Sequence, residues 1–107
     1  TGLKPDTVYS FRAGDNRYGM SAWRSFRTLP DDGRPVKVAT GGDMYRHPET
    51  VELLRAAARP KPDVALIGGD IAYADDKLDN IGFWDDWFDN WADNLDIKGG
   101  PMVPMIC

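Results

Sequence analysis

Two aspartates, Asp43 and Asp70, each follow a pair of glycines, at Gly41-Gly42-Asp43 and at Gly68-Gly69-Asp70. Carboxylates brought together repel unless a proton or a cation lies between them, and a divalent or trivalent metal held through oxygen relieves that repulsion. The preceding glycines remove side-chain bulk and allow sharp turns, so a ligand can come close to the backbone. Tyr73 lies three residues beyond Asp70, and on a helical turn such positions share a face. Its phenol, with an ordinary pKa of about 10, is the kind of group that a strongly Lewis-acidic metal deprotonates. Either aspartate alone would be explained as a helix cap and Tyr73 as buried packing. The repetition at matched places favours the metal.

Those places are the ends of strands. Val36-Lys37-Val38-Ala39 precedes the first tripeptide and Val64-Ala65-Leu66-Ile67 the second, with one helical stretch between them. A strand–helix–strand crossover is right-handed and leaves its strands parallel, so both aspartates reach the same edge of an α/β sheet, where ligands collect. Pro48 suits the first turn of the intervening helix, because its missing N–H is an orphan there. Val51, Leu54 and Ala58, flanked by Leu53 and Ala57, form its apolar stripe, and Pro60 and Pro62 end it. A later helix over about Ile81 to Leu95 places Trp84, Trp87, Phe88, Trp91 and Leu95 on one face and Asp85, Asp86, Asp89, Asp93 and Asp96 on the other. Aromatic residues at that spacing are expected in the core rather than stacked on a carbohydrate. Met102-Val103-Pro104-Met105-Ile106 reads as the start of a third strand.

Before the turn-rich linker at residues 31–35, Thr7 to Ala13 alternates, with Tyr9, Phe11 and Ala13 on one face, until Gly14-Asp15-Asn16 breaks the run. Trp23 to Leu29 supplies a second strand with Phe26 and Thr28 on one face. Two strands alone are marginal in water, which predicts a larger β domain around them.

The chain has 107 residues, 42% of them hydrophobic and 28% charged, the composition of a soluble globular protein. No apolar run approaches the ~20 residues that span a bilayer. The single Cys107 excludes an internal disulfide. The net charge of −4 is unevenly spread. Residues 1–62 carry 11 Lys and Arg against 7 Asp and Glu, a balance of +4, whereas residues 63–107 carry 2 against 10, a balance of −8. So acidic a second half argues against nucleic acid as a partner, since phosphate backbones need clustered cations. It suits a cation site, although most of these acids are expected to face solvent.

Gly69-Asp70-Ile71-Ala72-Tyr73-Ala74-Asp75 closely resembles the second metal motif of purple acid phosphatases, within the calcineurin-like metallophosphoesterases, and Gly42-Asp43 resembles their first. Leu3, Pro5, Thr7, Tyr9 and Phe11 resemble the late part of a fibronectin type III-like sandwich, where Tyr9 would be a structural tyrosine corner bonded to upstream backbone. The resemblance implies the end of such a domain over residues 1–30 and the opening β-α-β of a metallophosphoesterase domain over 36–107. It implies that Asp43 and Tyr73 bind trivalent iron and that Asp70 bridges to a second metal: iron, zinc or manganese. The implied reaction is hydrolysis of a small phosphoester, most simply a monoester, in a secreted or extracytoplasmic setting. The family's catalytic His, in a Gly-Asn-His motif, and its further metal ligands are expected beyond Cys107. The chain therefore reads as a fragment, inactive by itself.

One position departs from the pattern. The broader superfamily has Asp-x-His in its first motif and purple acid phosphatases commonly have Gly in the third place; here it is Tyr45. His47, the only histidine, either caps the helix that starts at Pro48 or reaches the substrate phosphate, and capping is favoured. Asp75 and Asp76 read as loop acids or caps. An aspartyl-phosphate phosphotransferase is disfavoured, because Asp43-Met44-Tyr45 lacks a second acid two residues on. No Gly-x-Gly-x-x-Gly follows either strand, which disfavours a dinucleotide-binding fold. The non-enzymatic alternative is a β-sandwich adhesion or binding module with a degenerate phosphatase-like domain.

Overall fold

The structure, a computed structural model, describes residues 2–96 and 99–107. Strand β1 (Val8–Phe11) pairs antiparallel with β4 (Arg24–Arg27), and the register sets Tyr9 opposite Phe26. The two rings stack at 6.1 Å, and Phe11 meets Phe26 edge-on at 5.9 Å, so aromatic cross-strand pairs hold this ribbon. The Tyr9 hydroxyl accepts the Lys4 N–H at 2.8 Å, an upstream backbone contact.

The expected break at residues 14–19 is itself a small hairpin, β2 (Gly14–Asp15) with β3 (Gly19–Met20). Asp15 Oδ1 accepts the N–H groups of Arg17 at 2.8 Å and Tyr18 at 2.7 Å, so a side chain makes the turn that alternation of hydrophobicity does not reveal. Both longer strands are shorter than their alternation suggests, and Ala13 falls outside β1. Asp6 fastens the ribbon to the linker. It accepts from Arg27 Nε at 2.7 Å and is ion-paired with Arg34, and the Arg27 contact leads in holding its carboxyl below the usual range.

The second unit is a parallel sheet with helices on one face. β5 (Val38–Gly41), α1 (Pro48–Ala58) and β6 (Val64–Ile67) make the crossover, and β7 (Met105–Ile106) joins the far side of β6, giving the order β5-β6-β7. Val38 pairs with Val64, Ala39 with Ala65, and Gly41 with Ile67. The third strand is shorter than Met102–Ile106. Pro101 and Pro104 have no N–H to give a ladder. Met102 instead bridges to Phe26, donating its N–H to Ser25 O at 2.8 Å, while Pro104 O accepts from Ala65.

The core lies between that sheet and α1 and α2 (Gly82–Asn94), a single-turn 3₁₀ segment (Leu78–Asn80) leading into the latter. Leu54, Ala65, Ile67, Ala72, Trp87, Trp91, Leu95 and Val103 are buried together, with Ala39 and Met105 packed against them. The apolar stripes are narrower than the spacing predicts. Leu53 is 70% exposed on α1, and on α2 Trp84 is 37% and Phe88 50% exposed. A helix meeting a three-stranded sheet and one neighbour buries only a narrow seam, here Trp87, Trp91 and Leu95, and Trp84 and Phe88 stack on each other at its margin. The remaining acids of α2 sit on the outer side, apart from Asp96, whose side chain is 8% exposed.

Candidate functional site

Asp43 lies two residues past β5, and Asp70 three past β6. Because the strands are parallel and adjacent, both loops leave from one sheet edge, and backbone bonds lock them together. Gly68 donates to Gly41 O at 2.7 Å, and Met44 to Asp70 O at 2.9 Å. This approach needs glycine at Gly42, where a Cβ would lie 3.2 Å from Gly68 O. It needs glycine again at Gly69, whose φ is +89°.

Side-chain-bearing residues in these loops also take left-handed conformations: Asp43 (φ 49°), Tyr45 (44°), Asp70 (44°), Tyr73 (55°), Asp75 (54°) and Asp76 (54°). Aspartate tolerates this region through local hydrogen bonding, whereas a tyrosine there is strained. Such concentrations are characteristic of sites where geometry is held against local preference. Ala72, buried in the core, anchors the second loop and fixes the departure point of Tyr73.

Tyr73 Oη donates to Asp43 Oδ1 at 3.0 Å, and the Asp70 carboxylate is near enough to act on the same phenol. The Tyr73 pKa is pushed up to about 12, first by lost solvation, then by the hydrogen bond to Asp43 and the negative charges of Asp43 and Asp70.

To a metal, Asp43, Asp70 and Tyr73 would offer two carboxylates and a phenol that becomes anionic when its proton leaves. That all-oxygen set fits a hard trivalent ion and does not suit a thiophilic one. Among the described residues, no three His, Cys, Asp or Glu side chains gather to hold a metal.

His47 occupies the N-cap position of α1, with φ −71° and ψ 160°, but its side chain makes no capping bond. Its ring packs on Tyr45 at 4.6 Å. Both line an open groove of about 410 Å³ with Arg46, Asp86, Asp89 and Asn90, whereas Asp43 borders a separate, largely apolar groove between β5 and α1. Asp75 and Asp76 are exposed loop acids and cap neither α1 nor α2.

Two contributors, Arg46 and Thr50, carry no motif that spacing could expose. The Arg46 guanidinium lies 3.5 Å from the Phe83 ring centroid and pairs with Asp86 at 3.1 Å, linking the first loop to α2. Tyr45 leads in raising its pKa above the ordinary value, so it stays charged. Thr50 Oγ1 donates to Met44 O, closing the loop onto α1. Only the unusual Tyr45 hinted at this wall of the site.

No family model matches the chain. It is similar to purple acid phosphatase 15 of Arabidopsis thaliana, 37% identical over 84 residues, which covers 75% of this chain and 16% of that protein. Purple acid phosphatase 13 of the same plant is 33% identical over 84 residues, 75% of this chain and 15% of that protein. An uncharacterized protein of Mycobacterium tuberculosis is 29% identical over 107 residues, 84% of this chain and 20% of its own length. The chain spans about a sixth of the length of the curated plant relatives. Across that span it is purple acid phosphatase-like.

Proposed function

We propose that this chain supplies part of the metal centre of a phosphoester hydrolase of the acid phosphatase type, with Asp43, Asp70 and Tyr73 as ligands. The observation that carries this reading is the 3.0 Å contact of Tyr73 with Asp43 beside Asp70, at the carboxyl ends of two parallel strands. Similarity to plant purple acid phosphatases supports it independently.

Asp43 and Tyr73 would hold Fe(III), and Asp70 would bridge to a second ion: iron, zinc or manganese. When bound, such a pair polarises a phosphoryl oxygen and supplies a nucleophile near neutral pH. The chain's own part is to bring hard anionic donors to one point and to release the Tyr73 proton as the trivalent ion enters. The glycine turns leave room for a phosphate to approach.

In this reading residues 1–30 end a fibronectin type III-like domain, 31–35 link, and 36–107 open a calcineurin-like metallophosphoesterase domain. The location that goes with this reading is secreted or extracytoplasmic, and His47 would be a phosphate contact. Its side chain makes no capping bond, and its ring packs on Tyr45. The substrate is a small phosphoester.

Titrating Fe(III) into the chain tests the reading. A visible tyrosinate-to-iron band that Tyr73→Phe abolishes is the expected result; a colourless protein without bound iron overturns it. Protein extended beyond Cys107 should hydrolyse an aryl phosphate where these 107 residues do not.

A further inference from the structure

Tyr45 stands where the resembling family commonly has glycine, and its backbone is left-handed at φ 44°. A bulky residue persists in that region only where its surroundings compensate the strain. The surroundings here are specific. The Tyr45 ring meets Tyr73 edge-to-face at 5.2 Å and 73°. Its other contacts are the His47 ring at 4.6 Å and the Arg46 guanidinium at 5.6 Å. Arg46 in turn is fixed to α2 by Phe83 and Asp86. A continuous series of contacts therefore runs from α2 through Arg46 and Tyr45 to the phenol that bonds Asp43.

We propose that Tyr45 is a positioning residue that braces Tyr73, holding the phenol oxygen toward Asp43 and Asp70. The inference rests on the proposed role of Tyr73 for its use, but the brace exists without any metal. Tyr73 itself is left-handed and follows a tight loop, so its χ1 has no helix or strand to set it. An edge-to-face neighbour supplies what regular structure does not, because the positive ring edge favours the negative face of its partner. Only the ring matters to this contact, so Phe replaces Tyr45 and aliphatic or absent side chains do not.

The test has a metal-free arm and an iron arm, both on the full 107-residue chain. Without metal, cross-ring nuclear Overhauser contacts between Tyr45 and Tyr73 are expected, with Tyr73 ring protons shifted by the neighbouring ring current in the native chain and in Tyr45→Phe. Tyr45→Gly, which suits the backbone at φ 44° and so retains the fold, should lose the shift. With Fe(III) added, Tyr45→Phe should keep the native band, and Tyr45→Gly should move or broaden it and weaken iron binding about two- to tenfold. Absent ring contacts in the native chain, or a Tyr45→Gly chain with unchanged Tyr73 shifts, overturn the brace. Intact ring contacts with no iron band in any chain would support the brace and reject the iron reading instead.

Discussion

Tyr73 Oη donates a hydrogen bond to Asp43 Oδ1 across 3.0 Å, joining the loop after β6 to the loop after β5. Lost solvation first, and then this bond and the charges of Asp43 and Asp70, make the phenol a poorer acid, with a pKa of about 12. A folded-state value above the ordinary 10 means that the fold favours the protonated phenol. Its stabilising contribution is therefore complete below pH 10 and is lost as pH rises through the window from 10 to 12. Spectrophotometric titration at the phenolate band should show one tyrosine ionising late, and Tyr73→Phe should remove that step and flatten stability across this alkaline window.

The close approach of the two glycine loops sets a second expectation. Gly42→Ala puts a methyl group 3.2 Å from Gly68 O, between backbones with little freedom to yield. Gly69→Ala forces an alanine to φ +89°. Urea unfolding should show a loss of about 1–3 kcal/mol for the first and about 1–2 kcal/mol for the second. Both should also weaken the Asp43–Tyr73 contact, seen as a downward shift of the late tyrosine titration.

Burial separates the tryptophans of α2. Trp87 is fully buried and Trp84 is 37% exposed. Trp87→Ala should cost about 3–5 kcal/mol by emptying the seam between sheet and helices. Trp84→Ala should cost less than about 1 kcal/mol. Chemical denaturation followed by the fluorescence of the remaining tryptophans distinguishes the two. Trp87 Nε1 is buried without a partner among the described residues, so Trp87→Phe should be much milder than Trp87→Ala.

Asp96 joins the end of α2 to both units, accepting from Val103 N–H at 2.8 Å and pairing with Arg24 at 3.2 Å. Desolvation leads in raising its pKa, so its contribution is present below the unfolded value of 3.8 and declines as pH rises through the higher folded value. Asp96→Ala should cost about 1–3 kcal/mol by leaving a buried amide unpaired. Asp96→Asn keeps an acceptor for Val103 and removes the desolvated charge. It should be the milder change and should flatten that decline, as thermal unfolding across acidic pH would show.

The crossover was legible because its signals are local and redundant. Hydrophobic runs name the strands, Pro48 and Pro60 bracket the helix, and matched glycine–aspartate ends give the shared edge. The α/β character follows from these alone. Alternation could not show how narrow the buried seam on α2 is, since Trp84 and Trp87 differ only in what a distant strand covers. The β2–β3 hairpin was hidden because Asp15 builds it through side-chain bonds within a run that reads as a break. Cys107 and the linker were uninformative in both views. At the site, residue types and spacing pointed to Asp43, Asp70 and Tyr73, but nothing in spacing announces Arg46 on Phe83 or Thr50 on Met44, which depend on tertiary proximity. His47 took the expected cap position without the capping bond, because its ring is engaged by Tyr45.

The order β5-β6-β7 gives the two halves of the site unequal anchorage. Among the described residues, Asp70 and Tyr73 follow a strand paired on both sides, whereas Asp43 follows one paired on a single side. Fraying of β5 would swing Asp43 away from its companions while the seam of Trp87, Trp91 and Leu95 stayed dry. Opening of the site is thereby uncoupled from global unfolding, and the amides of Ala39 to Gly41 should exchange with deuterium sooner than those of Ala65 to Ile67.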